Sequence, residues 1–296
     1  MAGKDVFRGT QGVILDKVVS DEIWAKTLKD SAIMQASRKI TLPGAGISVQ
    51  TITGDVEADW VPETEEKPVA RPTFSAKDMT PYKLAVIVPF SNEFRRDKAA
   101  LYAECARRLP NALAVAFDKT VMGVKSKPGD NFDQLSDAQK LVVDGKDTYK
   151  KMVKVFTTIA GNDANVSAWL ATPELQAVLM EATDASGRPL FVPDVLGTGE
   201  IGRFLGRPII ALPRSAAGVI GLAGDFANAA SYGTVEDISL DMATEATLTD
   251  TDGKPLNLWQ RNMFALRAEV EIGFRVRDTA SFVQITSAAS TGSTSR

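Results

Sequence analysis

Histidine does not occur in the 296 residues. Without an imidazole the chain cannot build a Ser-His-Asp or Cys-His nucleophile, and it has no histidine to offer a metal. Carboxylate, lysine and tyrosine chemistry stay open. Cysteine occurs once, at Cys105. An intramolecular disulfide is therefore impossible, and the usage suits a reducing compartment. No stretch approaches the roughly 20 apolar residues of a membrane span. The opening Met-Ala-Gly-Lys-Asp has no apolar signal region. A cytoplasmic origin and no membrane contact are expected. Basic runs are missing too: 34 Lys and Arg stand against 37 Asp and Glu, for a net charge of −3. The basic bias by which proteins grip phosphate backbones is thus not visible.

What is there is an ordinary globular composition, 44% hydrophobic and 24% charged. The length suggests about two domains and a core that needs no covalent staple. Residues 1–16 read as an extended arm. Ser20 to Leu28 is a short helix candidate, with Ser20 as N-cap and Ile23, Trp24 and Leu28 on one face. Residues 39–53 read as strand around a Pro-Gly break. Gly54 to Pro72 is charged and holds Pro62, Pro68 and Pro72; Thr73 to Pro89 then reads extended again. Residues 46–88 therefore form a long two-stranded excursion with a polar tip. Such a hairpin is marginal alone in water, so the excursion is either a disordered loop or a surface made to lie on another subunit.

The strongest helix covers 97–122, N-capped by Asp97 and stopped at Gly123. Leu101, Cys105, Leu109, Leu113, Phe117 and Val121 recur at steps of four, so the apolar stripe winds around the helix and meets several partners. Pro110 interrupts it and should bend it. Ser136 to Gln139 fits a capping box and predicts a helix start. Helices are also expected over Thr148 to Ile159 and, capped by Thr172 with Pro173 at its first position, to about Ala182. Val166 to Leu170 reads as strand, and Gly187 to Gly233 as short strands and turns. Phe264 to Val276 reads as a long strand, because Ala265, Arg267, Glu269 and Glu271 alternate with Leu266, Ala268, Val270 and Ile272. A last strand is expected over Ser281 to Ile285, then a disordered tail over 286–296.

Motifs for chemistry fail on context. Gly197-Thr-Gly199-Glu-Ile-Gly202 matches the dinucleotide fingerprint, but Gly206 and Pro208 leave no room for the helix that would meet a pyrophosphate. Asp250-Thr-Asp252-Gly253 resembles the centre of a calcium loop. Its outer ligand positions fall on Leu248 and Trp259, which have no side-chain oxygen; a hairpin turn is the better reading. Cys105 lies on the apolar stripe and reads as a buried thiol. Trp24, Trp60, Trp169 and Trp259 read as core or interface residues. Of these, Trp60 stands in the polar excursion beside Glu63, Glu65 and Glu66, which could pair with basic groups on a neighbour. No catalytic, cofactor-binding or metal residue is identified.

Residues 54–97 carry a pattern that resembles the extended-loop region of the HK97-fold phage major capsid family. Its stretches are Ala58 to Glu63, Thr73-Phe74, Lys83-Leu84-Ala85 and Ser91-Asn-Glu93-Phe94, followed by the helix from about 97. Gly187-Arg-Pro-Leu-Phe191, Leu205-Gly-Arg-Pro208, Gly224-Asp-Phe226 and Val276 to Val283 agree in order. The similarity covers roughly residues 45–285. It implies an α+β HK97-like fold: N-arm and start of the P-domain (1–45), E-loop hairpin (46–88), P-domain with a long spine helix (89–136), A-domain (137–260), returning P-domain strands (261–285) and tail (286–296).

The resemblance further implies a structural major capsid protein, not an enzyme, that forms hexamers and pentamers of an icosahedral shell around double-stranded DNA without gripping it specifically. Inter-subunit contact by the E-loop would use Trp60, Glu63, Glu65, Glu66, Lys67, Arg71 and Phe74. Packing of the spine helix would use Leu101, Cys105, Leu109, Pro110, Leu113 and Phe117. The implied partners are further copies of the chain, a separate scaffold protein, a portal and a decoration protein. The implied location is the virion capsid, assembled in the host bacterial cytoplasm. No long scaffolding segment precedes the arm, so either the chain is a processed form or a separate scaffold guides assembly. Some relatives crosslink an E-loop lysine to a neighbour's asparagine. Lys67 and Lys77 lie in the right region, but no asparagine can be matched and self-crosslinking is not expected. The competing readings are an encapsulin, which is a cargo compartment shell of the same fold; a histidine-free hydrolase; and a phage tail or decoration protein.

Overall fold

The structure is a computed structural model that describes residues 26–27, 31–52, 60–63, 66–67, 69, 74–95, 98–143, 147–182, 191, 200–212, 218–236, 238–250 and 252–287. In chain order the elements are helix α1 (Ala32–Ala36), strands β1 (Arg38–Thr41), β2 (Ile47–Ile52), β3 (Phe74–Met79) and β4 (Tyr82–Ser91), and the long helix α2 (Lys98–Val121). Then come β5 (Gln139–Val143), α3 (Thr148–Ala160), β6 (Ala168–Ala171), α4 (Pro173–Met180), β7 (Glu200–Phe204), β8 (Arg207–Ala211), β9 (Val219–Gly224) and α5 (Phe226–Ala229). The chain ends through β10 (Ala230–Thr234), β11 (Ser239–Ala243), β12 (Thr247–Thr249), β13 (Pro255–Asn257), β14 (Met263–Val276) and β15 (Phe282–Ser287).

The expected long strand is β14, and its alternation sets one face of a five-stranded sheet. Phe264, Leu266, Ala268, Val270, Ile272, Phe274 and Val276 are buried. Arg267, Glu269, Glu271 and Arg275 face the other way, toward more open surroundings. β14 pairs antiparallel with β4, β11 and β10, and β10 pairs in parallel with β1. Helix α2 covers the apolar face. Its stripe residues Leu109, Leu113, Phe117 and Val121 are all buried, and Phe117 meets Phe274 and Phe132 edge-on with centroids 5.9 and 6.3 Å apart. Pro110 is buried within α2, which continues past it to Val121. Leu101 and Cys105 lie in the same helix, but their side chains are outside the described part, as is Asp97.

A second sheet runs β5-β15-β9-β6-β8-β7 over its own core, in which Met152, Val155 and Ile159 of α3 and Leu175 and Leu179 of α4 pack on Trp169, Ile209 and Ile285. Thr172 caps α4, with Pro173 in the first turn. The sheets interleave along the chain. Residues 137–260 supply β5 to β9 to the second sheet but β10 and β11 to the first; β15, from the returning stretch, joins the second.

Several expectations need correction. The Ser136 capping box opens no helix. Residues 136–138 turn and enter β5, which pairs in parallel with β15. A distant partner strand overrides the local helix signal. Thr286 and Ser287 belong to β15 instead of a tail; the rest of that tail and residues 1–25 lie outside the described residues. β4 ends the excursion early, since Tyr82–Ser91 pairs with β14. Of the glycine-rich fingerprint, read as a loop, Glu200 to Gly202 lie in β7, the first strand of a hairpin. Leu205 and Gly206 join β7 to β8 with φ of 50° and 76°, the left-handed pair of a tight two-residue turn. Gly197 and Gly199 are outside the described residues. Asp250 to Gly253 closes the β12–β13 hairpin, with the Gly253 N–H donating to the Asp250 carbonyl at 2.9 Å and Gly253 at φ 75°.

Candidate inter-subunit surface

β2 and β3 pair antiparallel from Ile47↔Met79 to Ile52↔Phe74. Six residues of strand span about 20 Å, and the half of the hairpin that holds Val49, Lys77 and Met79 lies against β14. The root of this arm is locked. Met79 is fully buried against the β14 strand, where Gly273 permits the approach: a Cβ there would stand 2.9 Å from both the Met79 Cγ and the Thr80 carbonyl oxygen. Gly46, at φ +85°, turns the chain into β2, and a Cβ on it would meet the Met79 carbonyl at 2.5 Å.

Polar bonds tighten the same root. Lys77 Nζ donates to the Val276 carbonyl at 2.8 Å and lies 3.8 Å from the Asp133 carboxylate. The Arg275 guanidinium donates to the Asp133 carboxylate at 2.7 Å, to the Asn131 side-chain oxygen at 2.9 Å and to the Asp78 carbonyl at 2.7 Å. Asp133 closes the group by accepting the Val276 N–H at 2.9 Å. One planar cation thus joins β3, β14 and the loop after α2 through several directed bonds.

The outer part of the arm is different. Trp60 is 99% exposed and Val69 83%, and Glu63, Glu66 and Lys67 are exposed. An indole and an isopropyl group this exposed are the kind of surface that another chain covers. Phe74 opens β3, but its side chain, with Glu65 and Arg71, lies outside the described part. Of the other tryptophans, Trp169 is buried and its Nε1 donates to the Phe204 carbonyl at 3.1 Å, whereas Trp259 is 74% exposed; Trp24 lies outside the described residues.

The sequence reading missed Asp118. Its carboxylate sits on α2, buried, and accepts from the Ser31 hydroxyl at 2.6 Å and the Ala32 N–H at 3.1 Å. It therefore ties the start of α1 to the long helix. Burial pushes its carboxyl up to about 6 against the pull of those hydrogen bonds. Its spacing of four from Ala114 and from Met122, both apolar and both buried, was the available signal. On the solvent side of β14, Lys83 bonds Glu269 at 2.9 Å and lies 3.6 Å from Glu271. The hydrogen bond to Glu269, then the charges of Glu269 and Glu271, raise the Lys83 ammonium, and Lys83 lowers the Glu269 carboxyl. This is a screened surface ladder. Among the described residues no cluster of three metal-ligating side chains occurs.

Residues 11–287 match the model of the phage capsid family. The chain is 29% identical to "Probable major capsid protein gp17" of Mycobacterium phage L5, over 98% of this chain and 93% of that one. It is 21% identical to the major capsid protein of Staphylococcus phage 80alpha, over 89% and 82%. Among solved structures, a chain of Mycobacterium phage Adephagia superposes with a TM-score of 0.70 at 20% identity, over 87% and 90% of the two chains. A chain titled "Capsid of empty GTA particle computed with C5 symmetry" superposes at 0.61 and 16% identity, over 97% and 95%. An anchored arm, a long helix laid on a long-stranded sheet, and a family match across nearly the whole length lead to one conclusion: the chain belongs to the phage capsid family, as a structural major capsid protein of α+β, HK97-like fold.

Proposed function

We propose that the subunit builds hexamers and pentamers of an icosahedral shell around double-stranded DNA, and that the β2–β3 arm holds neighbours together by lying across the adjacent copy. In this reading the arm is the E-loop, α2 with the five-stranded sheet is the P-domain, and the six-stranded sheet with α3 and α4 is the A-domain. The stripe residues Leu101, Cys105, Leu109, Pro110, Leu113 and Phe117 hold the spine helix to its own sheet, while Trp60, Glu63, Glu65, Glu66, Lys67, Arg71 and Phe74 serve contacts between copies. The subunit does no catalysis. Assembly takes place in the host cytoplasm, guided by a separate scaffold protein and completed by a portal and a decoration protein. The negative balance of charge suits a wall that encloses a genome without gripping it.

The observation that carries this is the arm itself, fixed at its root yet with Trp60 99% exposed at its far end. A rigid root sets the arm's direction before association, which lowers the ordering cost of binding. Deleting residues 55–72 tests it. The truncated subunit folds, with the circular dichroism and urea midpoint of the parent, but sediments as small species instead of shells. Shells of normal size and stability from the truncated chain would overturn the proposal.

A further inference from the structure

Beside the arm's root lies a cleft of about 260 Å³, lined by Arg38, Ile40, Val49, Lys77, Arg275 and Arg277 among others. It brings together cations from β1, β3 and the end of β14, and the described residues that line it include no carboxylate. Among the described residues the only carboxylate bonded to any of the four is Asp133, which Lys77 and Arg275 share. Arg38 and Arg277 are exposed. The cleft therefore holds about three positive charges beyond its own compensation. Such a concave site concentrates field and selects an anionic occupant.

The chain carries a matching anion. Asp55, Glu57, Asp59, Glu63, Glu65 and Glu66 fall within twelve residues, 55–66, with no Lys or Arg among them. Glu63 and Glu66 are exposed, next to the exposed Trp60. We propose that the acidic arm tip of one subunit docks in the Arg38–Arg277 cleft of the next, which names the receiving surface for the arm and rests on the assembly reading above. Tip and cleft are different patches on one chain, so the contact is head-to-tail. Contacts of that kind propagate around a ring until it closes. Charge sets the partner and the register, while the buried apolar area of Trp60 supplies holding energy.

Charge reversal tests this. Arg38→Glu with Arg277→Glu reverses the cleft; Glu63→Lys with Glu66→Lys reverses the tip. All four side chains are exposed, so each double variant keeps the parent's circular dichroism. Each alone is expected to lower the shell fraction in sedimentation at least ~10-fold, from like-charge contact, and the quadruple variant to restore it. Mixing the two double variants gives a sharper result. In an alternating ring every contact is complementary, so six-membered rings form, but a five-membered ring always retains one mismatched contact. Hexamers without closed shells are thus expected from the mixture. Recovery in the quadruple variant without recovery in the mixture would mean that the tip docks in its own cleft, and would overturn the proposal. So would normal assembly of either double variant. In that last case, failure of the 55–72 deletion to assemble keeps the arm reading and removes only the cleft; success of that deletion removes both.

Discussion

Asp118 is a buried carboxylate whose ionisation opposes folding, and Asp118→Asn isolates that contribution. In the folded chain the carboxyl sits at about 6, against an ordinary 3.8, because burial disfavours its charge more than the bonds from Ser31 and Ala32 favour it. The gap is about two pH units, or about 3 kcal/mol. Between 3.8 and 6 the folded state holds a proton that the unfolded chain has released. Stability from this group is therefore greatest below about pH 4, falls as pH rises to about 6, and is level above that. Asparagine carries no charge and keeps an oxygen to accept the Ala32 N–H. The variant is expected to equal the parent at pH 4 and to exceed it at pH 7 by up to ~3 kcal/mol, a figure already net of the bonds from Ser31 and Ala32. Urea denaturation of both forms on the 55–72 deletion background keeps the chain monomeric. The quantity to follow is the difference between their unfolding free energies from pH 4 to 7, since the other carboxylates cancel in it. A difference that does not change with pH would refute the assignment of the cost to Asp118.

Three further outcomes separate root from tip. Trp60→Ala leaves the subunit's urea midpoint unchanged within ~0.5 kcal/mol, since the indole touches mostly water, but lowers the yield of shells in sedimentation. Gly273→Ala forces a methyl to 2.9 Å from Met79 and Thr80; it costs ~1–3 kcal/mol by thermal or urea unfolding and impairs assembly with it. Arg275→Lys cannot reproduce the planar fork to Asp133 and Asn131 and costs ~1–3 kcal/mol, read by the same unfolding assay.

The elements legible in the sequence are those whose packing partner is implied by their own pattern. β14 alternates because one face meets a core, and α2 repeats at steps of four because one stripe meets that sheet; neither needs knowledge of what lies opposite. Thr172-Pro173 is legible because a cap is local chemistry. The Ser136 capping box fails for the converse reason. Gln139 to Val143 is claimed as strand by β15, about 140 residues away, and the local hydrogen-bonding signal is outweighed by a pairing that sequence order conceals. The arm's acidic tip was visible, since its charges are contiguous. Its cleft was not, because Arg38, Lys77 and Arg277 stand far apart in the chain and meet only after β1, β3 and β14 assemble at one corner. Asp118 escapes notice because it stands beside the steps-of-four stripe and not on it, where a carboxylate reads as solvent-facing.

The division between root and tip has a physical consequence for how such a subunit can be made and stored. An isolated two-stranded arm gains too little from its own pairing to hold a direction in water. Here the direction is supplied by groups that belong to the folded core: Met79 buried against β14, Lys77 on the Val276 carbonyl, and the Arg275 fork. These bonds exist before any neighbour arrives, so the arm's base is ordered at the expense of subunit folding and not of association. The apolar and acidic groups that a neighbour would receive are held at the other end, beyond paired strands about 20 Å long. On the assembly proposed above, a subunit built this way would fold without consuming the surface that its neighbour receives. Its stability and its capacity to assemble can then vary independently: substitutions at Trp60, Glu63 or Glu66 act on one, Asp118 acts on the other, and only the residues of the root, Gly273 and Arg275 foremost, must act on both.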